Sequence, residues 1–480
     1  MKKFTLITLL LLAALAQQSY AKDGYKIHLK FTDVKDTILY LAHYYAKPLP
    51  NQIYKADSGK VNSKGELFLK SDSAIVGGIY ILLLSDHKTY FEFLLDNGDD
   101  ITITLSVTKA DDMNFKNSKS NDDFMAYEKF LKVFGARQQS IQSELSVAHT
   151  AADTEAVRKK LKESGKDLIT YRRNYITKNP NTLLASIFKE LEIPEVPEGK
   201  HYNADGKEDS AFAYHYYKDH YWDGFNFQDD RLIHTPILDT KLEEYFKSLV
   251  YPVPDSVQKE ADMLLAKAKG TKEIFKYILW FTEHYAQDSK VMGMDAAAVY
   301  LIENYYMKGY ATWLKQDDLQ KYIDWARKTA PNVIGNMGMD ISMPDINGVE
   351  KSVYDIKSKY TMLVFWSPDC GHCQREIPEL DSVYNAVLKK KGVKVYAVRA
   401  DGEESKWKEF IKKNKLEDWI NVQDTDHTHQ DFRKNYNIYM TPVIYILDEK
   451  KIIQGKQLDH TNVADVIEML ERREKMSKKQ

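Results

Sequence analysis

The chain has 480 residues, and its 68 lysines and arginines nearly balance its 70 aspartates and glutamates, which leaves a formal net charge of −2. This balance excludes the strongly basic surface that binding to a nucleic-acid backbone requires. The length and the 43% share of hydrophobic residues predict two or three domains with buried cores.

The amino terminus has the pattern of a secretory signal. Two lysines precede an apolar run over residues 4–16, and the small residues Ser19 and Ala21 stand where a signal peptidase would cleave. The run is shorter than the roughly 20 residues that span a bilayer, which disfavours the alternative of a retained anchor. We therefore predict a signal peptide over residues 1–21, no transmembrane span in the mature protein, and a location in the periplasm or another exported compartment of the cell envelope.

Residues 24–118 are predicted to form an all-β domain. Apolar and polar residues alternate strictly in Tyr25–Phe31, and the alternation returns in residues 101–105 after a turn at residues 96–98. A period of two is typical of half-buried strands. We predict a β-sandwich.

The hydrophobic period changes near residue 121. Apolar residues spaced three and four apart then fall on one face of a helix, beginning with Phe124, Tyr127 and Leu131. Helical patterning continues and predicts an all-α domain over residues 119–330. Its segment at residues 214–234 is rich in histidine and aromatic residues, for which packing at a helix junction is a simpler interpretation than a metal or sugar site.

Residues 332–480 alternate between strands and helices. Strands are predicted at residues 361–366, 393–398 and 443–447, and helices at residues 407–413 and 463–472. This alternation is typical of an α/β domain around a central sheet.

The only two cysteines, Cys370 and Cys373, follow the first strand of this domain and open a helix. Helical positions three apart are close enough for a disulfide to open and close. Unpaired N–H groups and the dipole at the helix start stabilise a thiolate, so Cys370 is the predicted nucleophile. Cys373 is the predicted resolving thiol.

Two other uses of the pair are weaker. A disulfide that closes so short a loop removes little chain entropy and would stabilise the fold little. A zinc site needs about four ligands, and the sequence has no second cysteine pair to supply them. His427 and His429 would be needed to complete such a site, but a lone His-x-His in a polar loop is usually solvated. We predict no metal and no cofactor other than the redox-active disulfide Cys370–Cys373.

Four features around the cysteines carry a family resemblance. They are Trp366 at the strand end, Cys370-Gly371-His372-Cys373, Glu376-Ile377-Pro378, and Met440-Thr441-Pro442 before an apolar strand. Residues 332–475 thereby resemble the thioredoxin-fold domain of the TlpA/ResA-like thiol-disulfide oxidoreductases. The two preceding regions resemble the leading domains of multi-domain bacterial envelope proteins.

The resemblance implies roles for single residues. Pro442 is expected to be cis and to face the cysteines, and the backbone of Thr441 is expected to pair with an extended substrate. Glu376 is expected to accept the proton of Cys373, unless its carboxylate is only a solvated helix charge. Trp366, Gly371 and His372 are expected to complete the substrate-binding surface.

The predicted function is an exported thiol-disulfide oxidoreductase that acts on disulfide-bearing envelope proteins and depends on an unidentified electron donor. The Gly371-His372 dipeptide departs from many TlpA/ResA-like members and resembles protein disulfide isomerases, in which such a histidine makes the pair more oxidising. Reduction, isomerisation and oxidation therefore all stay open as the net direction, and a reductant or isomerase is favoured. One alternative is a binding or scaffold protein with an accessory redox domain. Another is a thiol peroxidase, although the threonine expected shortly before a peroxidatic cysteine is missing.

Overall fold

The computed structural model describes residues 23–49, 53–424 and 431–477. The predicted signal peptide and both His427 and His429 lie outside these residues. The chain divides into two compact units. One runs to Leu249 and includes Leu265–Tyr277, and the other combines Val250–Leu264 with the chain from Ile278 onward. The helical region predicted at residues 119–330 is therefore shared between the two units.

The amino-terminal region is a β-sandwich, as predicted. Its strands are β1 (Tyr25–Phe31), β2 (Ile38–His43), β3 (Tyr54–Lys60), β4 (Glu66–Ser71), β5 (Gly78–Leu84), β6 (Tyr90–Leu95), β7 (Asp100–Leu105) and β8 (Asn114–Lys116). They form two sheets, ordered β4-β1-β7-β8 and β3-β2-β5-β6. Every second residue of β1 is buried, and Ile27 and Leu29 share one core with Leu82 and Phe93 of the other sheet.

Helices dominate the next region, as predicted. They are α1 (Lys119–Ser146), α2 (Ala151–Lys178), α3 (Leu183–Glu190), α4 (Phe212–His220), α5 (Leu238–Glu244), α6 (Pro254–Lys267), α7 (Glu273–Gln287), α8 (Asp295–Leu301) and α9 (Gln316–Thr329). Phe124 and Tyr127 are buried on α1, and Tyr127 packs on Phe188 of α3 with ring centroids 4.5 Å apart. Asn121 fixes the start of α1 to the sandwich because its side chain bonds both backbone groups of Leu94. Within the described part of the chain, no helix has both the length and the apolar content that crossing a bilayer requires.

A buried pair of histidines lies in the first unit. The rings of His43 and His234 stack with their centroids 3.7 Å apart, and His234 is only 6% exposed. Their Nδ1 atoms contact the backbone carbonyl oxygens of Tyr44 and Val76, respectively. His234, the last residue of the histidine-rich and aromatic segment at residues 214–234, thus contributes to internal packing.

This pair predicts a loss of stability in acid. Burial lowers the pKa of His43, and burial together with the neighbouring His43 lowers the pKa of His234 to about 3 from the ordinary 6.5. The unfolded chain therefore binds more protons than the folded chain between these values. As the pH falls below 6.5, we expect the free energy of unfolding to drop by about 1.4 kcal/mol per pH unit for each histidine that stays neutral.

Urea unfolding at a series of pH values measures this loss. His234→Asn removes one imidazole and keeps a short polar side chain, so the variant should show a weaker pH dependence below the ordinary histidine pKa than the wild type. An unchanged pH dependence would contradict the assignment to this pair.

The carboxy-terminal region is an α/β domain around a central sheet, as predicted. Its strands are β9 (Ser342–Pro344), β10 (Glu350–Ser352), β11 (Tyr360–Trp366), β12 (Val393–Arg399), β13 (Ile420–Gln423), β14 (Val443–Asp448) and β15 (Ile453–Lys456), and its helices are α10 (Gly371–Val383), α11 (Glu404–Asn414), α12 (Phe432–Asn435) and α13 (Val463–Ser477). The main sheet has the order β13-β12-β11-β14-β15, with β11 parallel to β12 and antiparallel to β14.

Burial of the central strand β11 on both faces explains why its sequence is a continuous apolar run. All its residues are buried, and successive side chains point alternately into two hydrophobic cores. Val364 and Trp366 pack with Ile377 of α10 on one face, whereas Leu363 and Phe365 belong to the core on the other face. Helices and loops cover both faces, so no position of β11 meets solvent.

Candidate active site

Cys370 is the N-cap residue of α10. The strand β11 ends at Trp366, a short turn follows, and the backbone of Cys370 is still extended before the helix begins. The Cys370 Sγ accepts a hydrogen bond from the backbone N–H of Cys373 at 3.3 Å. The Gln374 side chain donates to the carbonyl oxygen of Pro368 at 2.8 Å and so ties the turn to the helix. The predicted position of Cys370 at the start of a helix is confirmed.

The two thiols have different environments. Partial burial opposes ionisation of Cys370, but hydrogen bonds from the Cys373 side chain and backbone N–H outweigh it, so the pKa of Cys370 lies below its ordinary value. Cys373 is fully buried, and this burial, helped by its hydrogen bond to Cys370, raises its pKa to about 12. Cys370 is therefore the thiol that ionises first, and neither cysteine is part of a disulfide in this structure.

The peptide bond between Thr441 and Pro442 is cis, as the resemblance implied. The Cys370 thiol donates to the carbonyl oxygen of Thr441 at 3.2 Å. Thr441 and Pro442 are both partly exposed, and they stand directly before β14. The structure thus brings Cys370, Cys373, Thr441 and Pro442 together.

The side chain of Trp366 does not reach the protein surface. Its side chain is completely buried, and its ring lies 4.9 Å from that of Phe410 between centroids. A side chain with no exposed area cannot touch a protein substrate, so the predicted substrate-binding role of Trp366 is corrected to packing beneath the site. Gly371 and His372 are exposed, and the His372 Nδ1 lies 3.2 Å from the guanidinium of Arg375.

Two large apolar side chains stand exposed beside the cis bond. Tyr439 is 70% exposed and Met440 is 80% exposed, immediately before Thr441. Exposed apolar side chains that lie side by side are a feature that interaction surfaces share. The surface next to the Cys370 thiol is therefore apolar at this edge.

Glu376 lies one helical turn after Cys373 and contacts a histidine that sequence reasoning missed. The Glu376 Oε1 accepts the backbone N–H of His460 at 2.5 Å, and the Oε2 accepts from the His460 Nδ1 at 2.7 Å. The Glu376 side chain is 15% exposed and the His460 side chain is 34% exposed. Glu376 is thus not a freely solvated helix charge. Because the two residues are far apart in the chain, no spacing pattern signalled the contact.

The acidic residue before Cys370 is paired with a lysine. Asp369 forms an ion pair with Lys406 at 2.7 Å, and both side chains are largely exposed. Among residues 23–49, 53–424 and 431–477, no group of three or more histidine, cysteine, aspartate or glutamate side chains is arranged to hold a metal ion.

Three family models match successive parts of the chain. The AhpC/TSA family model matches residues 334–456, which include the cysteine pair. Two models described as domains of unknown function match the preceding regions, DUF4369 over residues 25–124 and DUF5106 over residues 137–324.

The individual relatives named here each match part of the chain. The thioredoxin-like protein YneN of Bacillus subtilis is 26% identical over 147 residues, which are 30% of this chain and 80% of YneN. The thiol-disulfide oxidoreductase ResA of Geobacillus kaustophilus is 27% identical over 135 residues, or 27% of this chain and 74% of ResA. A solved domain of a possible thiol-disulfide isomerase from Cytophaga hutchinsonii is 37% identical, with 32% of this chain and 99% of that domain covered and a TM-score of 0.29.

Proposed function

Because its carboxy-terminal domain is a thioredoxin-fold domain of the TlpA/ResA-like thiol-disulfide oxidoreductases, we propose that this oxidoreductase exchanges disulfides with exported protein substrates through Cys370 and Cys373. Reduction or isomerisation of substrate disulfides is the proposed direction. The observation that carries the proposal is the pairing of a partly exposed thiol of lowered pKa with a buried thiol one turn later, beside Pro442.

The exchange takes two steps. The Cys370 thiolate attacks one sulfur of the substrate disulfide, so a mixed disulfide forms and the other substrate sulfur leaves as a thiolate that takes up a proton. Cys373 then loses its proton and attacks the Cys370 Sγ, which breaks the mixed disulfide and releases the second substrate thiol. The substrate gains two electrons, and the enzyme ends with a Cys370–Cys373 disulfide that an external electron donor must reduce.

The surface around Cys370 supports a protein as the substrate. An extended segment can lie against the backbone of Thr441 while its disulfide meets the thiol. The exposed side chains of Tyr439 and Met440 offer apolar contacts to residues that flank the substrate cysteine. Small thiols would need none of these contacts.

The exported location rests on the sequence. The signal-like segment at residues 1–21 and the absence of cysteines elsewhere in the chain both suit an oxidising compartment. Disulfide-bearing envelope proteins are then the proposed substrates. A reductant or isomerase there also needs a separate supply of electrons.

The two thiols should react with iodoacetamide at very different pH values. Only the thiolate reacts, so the rate at Cys370 should reach half its maximum at a lower pH than the rate at an ordinary cysteine, because hydrogen bonds lower the pKa of Cys370. Cys373, with a pKa of about 12, is ionised at neutral pH to only about one part in 100,000. Mass spectrometry of the reduced, folded chain should find label on Cys370 alone, and preferential labelling of Cys373 would contradict the assignment of the nucleophile.

Reduction of insulin disulfides by the purified chain tests the function. Catalysed reduction above the rate of the chemical reductant is the expected result. The reduction potential of the Cys370–Cys373 couple then separates a reductant from an isomerase, since the thioredoxin potential is about −270 mV and that of protein disulfide isomerase about −180 mV. No catalysed exchange in either direction would overturn the proposal.

A further inference from the structure

The contact between Glu376 and His460 has the geometry of a clamp. Both carboxylate oxygens accept from His460, one from its backbone N–H at 2.5 Å and one from its Nδ1 at 2.7 Å. His460 lies in the loop between β15 and α13, so a second element of the domain fixes the rotation of a side chain that α10 supplies. Two donors aimed at one carboxylate leave it a single orientation.

Resolution of the mixed disulfide needs a base near Cys373. The Cys373 thiol is fully buried, and that burial raises its pKa to about 12. Only a small fraction of the protein therefore carries an ionised Cys373 at neutral pH. Glu376 lies three residues further along α10, and side chains at this spacing are neighbours with about 5–6 Å between their Cβ atoms. This spacing places Glu376 on the same face of α10 as the buried thiol, and the proposed proton transfer runs directly or through one water molecule.

We propose that His460 is a positioning residue that holds the Glu376 carboxylate where it takes the proton of Cys373 during resolution. The proton passes from the Cys373 Sγ to the Glu376 carboxylate while the Cys373 Sγ bonds to the Cys370 Sγ. The bond from Cys370 to the substrate sulfur breaks, and the substrate thiolate leaves and is protonated. This inference rests on the proposed function and adds a residue that the family resemblance did not supply.

The surroundings of His460 make the step sensitive to pH. The charged groups that face the imidazole are Glu376 and Glu379 from α10 and Asp459 from its own loop. The hydrogen bond to Glu376 is the largest cause that raises the pKa of His460 above its ordinary value of 6.5. The imidazolium therefore persists to higher pH than in a free histidine, and its loss removes a positive charge from beside the carboxylate.

Single-turnover exchange with the full-length chain tests the inference. The reduced chain is mixed with a peptide disulfide, and samples are quenched with acid and alkylated. Mass spectrometry then follows the formation and decay of the mixed disulfide at a series of pH values from about 5.5 to about 9. For Glu376→Gln we expect a decay about 100-fold slower than in the wild type. For His460→Gln we expect a decay about tenfold slower and the loss of the inflection that His460 contributes above pH 6.5.

Glu379→Gln is the matched control, because it removes an exposed charge near His460 from the same helix without touching the clamp. This variant should keep the rate of the wild type, and its inflection should shift only slightly to lower pH, because Glu379 is the smallest of the named causes that raise the pKa of His460. A His460→Gln decay with the same rate and pH profile as the wild type would overturn the role of His460 and leave the proposed function intact. A wild-type chain that forms no mixed disulfide would overturn the proposed function itself.

Discussion

Cys370→Ser is expected to abolish the catalysed reduction of insulin disulfides, with a loss of at least about a thousandfold. The attacking group in disulfide exchange is a thiolate, and a serine hydroxyl at the same position neither ionises near neutral pH nor forms a mixed disulfide. Cys373 cannot substitute, since it is buried and its thiol has a raised pKa of about 12. Turbidity of precipitating insulin chains, followed in the presence of a chemical reductant, measures the loss.

The serine variant also separates chemistry from folding. Cys370 caps α10 by accepting the N–H of Cys373, and serine is among the residues best suited to that position. The helix should therefore form as before, with unchanged circular dichroism and an unchanged urea midpoint. A variant that folds normally and reduces insulin as fast as the wild type would eliminate Cys370 as the nucleophile.

Local patterns in the sequence predicted those parts of the fold that depend on short spacing. Alternation in Tyr25–Phe31 marked a strand whose every second residue is buried, and the three-and-four spacing of Phe124 and Tyr127 marked the buried face of α1. The position of Cys370 at a helix start followed from the strand that precedes it. Each of these features is set by neighbours within one or two turns of chain.

Features that depend on tertiary contacts could not be predicted from the sequence. Complete burial of Trp366 depends on α10 and α11 covering one face of the sheet, and a tryptophan at a strand end is equally compatible with an exposed platform. The contact of Glu376 with His460 joins residues 84 positions apart, and only the closed fold brings them together. Likewise, periodicity predicted helices throughout residues 119–330, but it carried no information on which helices pack together. In the structure these helices are divided between two compact units.

Cys373→Ala is expected to stop the reaction after its first step and to accumulate the mixed disulfide with Cys370. Without the second sulfur, resolution requires an outside thiol, so turnover of insulin should fall by at least about a thousandfold while the first attack continues. The substitution removes only one buried sulfur from the core beside Ile377, so the domain should remain folded. Non-reducing electrophoresis of the variant after incubation with insulin should show the adduct.

The same variant decides between an enzyme and a scaffold when it is expressed in an exporting host. The long leading regions, residues 24–330, motivated the alternative of a binding protein with an accessory redox domain, and a dedicated complex would yield one dominant cross-linked partner. An oxidoreductase with a general apolar rim at Tyr439 and Met440 should instead trap many disulfide-bearing proteins. The matched control, Cys370→Ser combined with Cys373→Ala, retains every surface of the protein except the nucleophile and should trap none. The chemistry of the trap is the same for an enzyme and for a scaffold, and only the number of recognised partners differs. Recovery of one dominant protein by Cys373→Ala would therefore contradict a broad enzymatic role and support a dedicated complex.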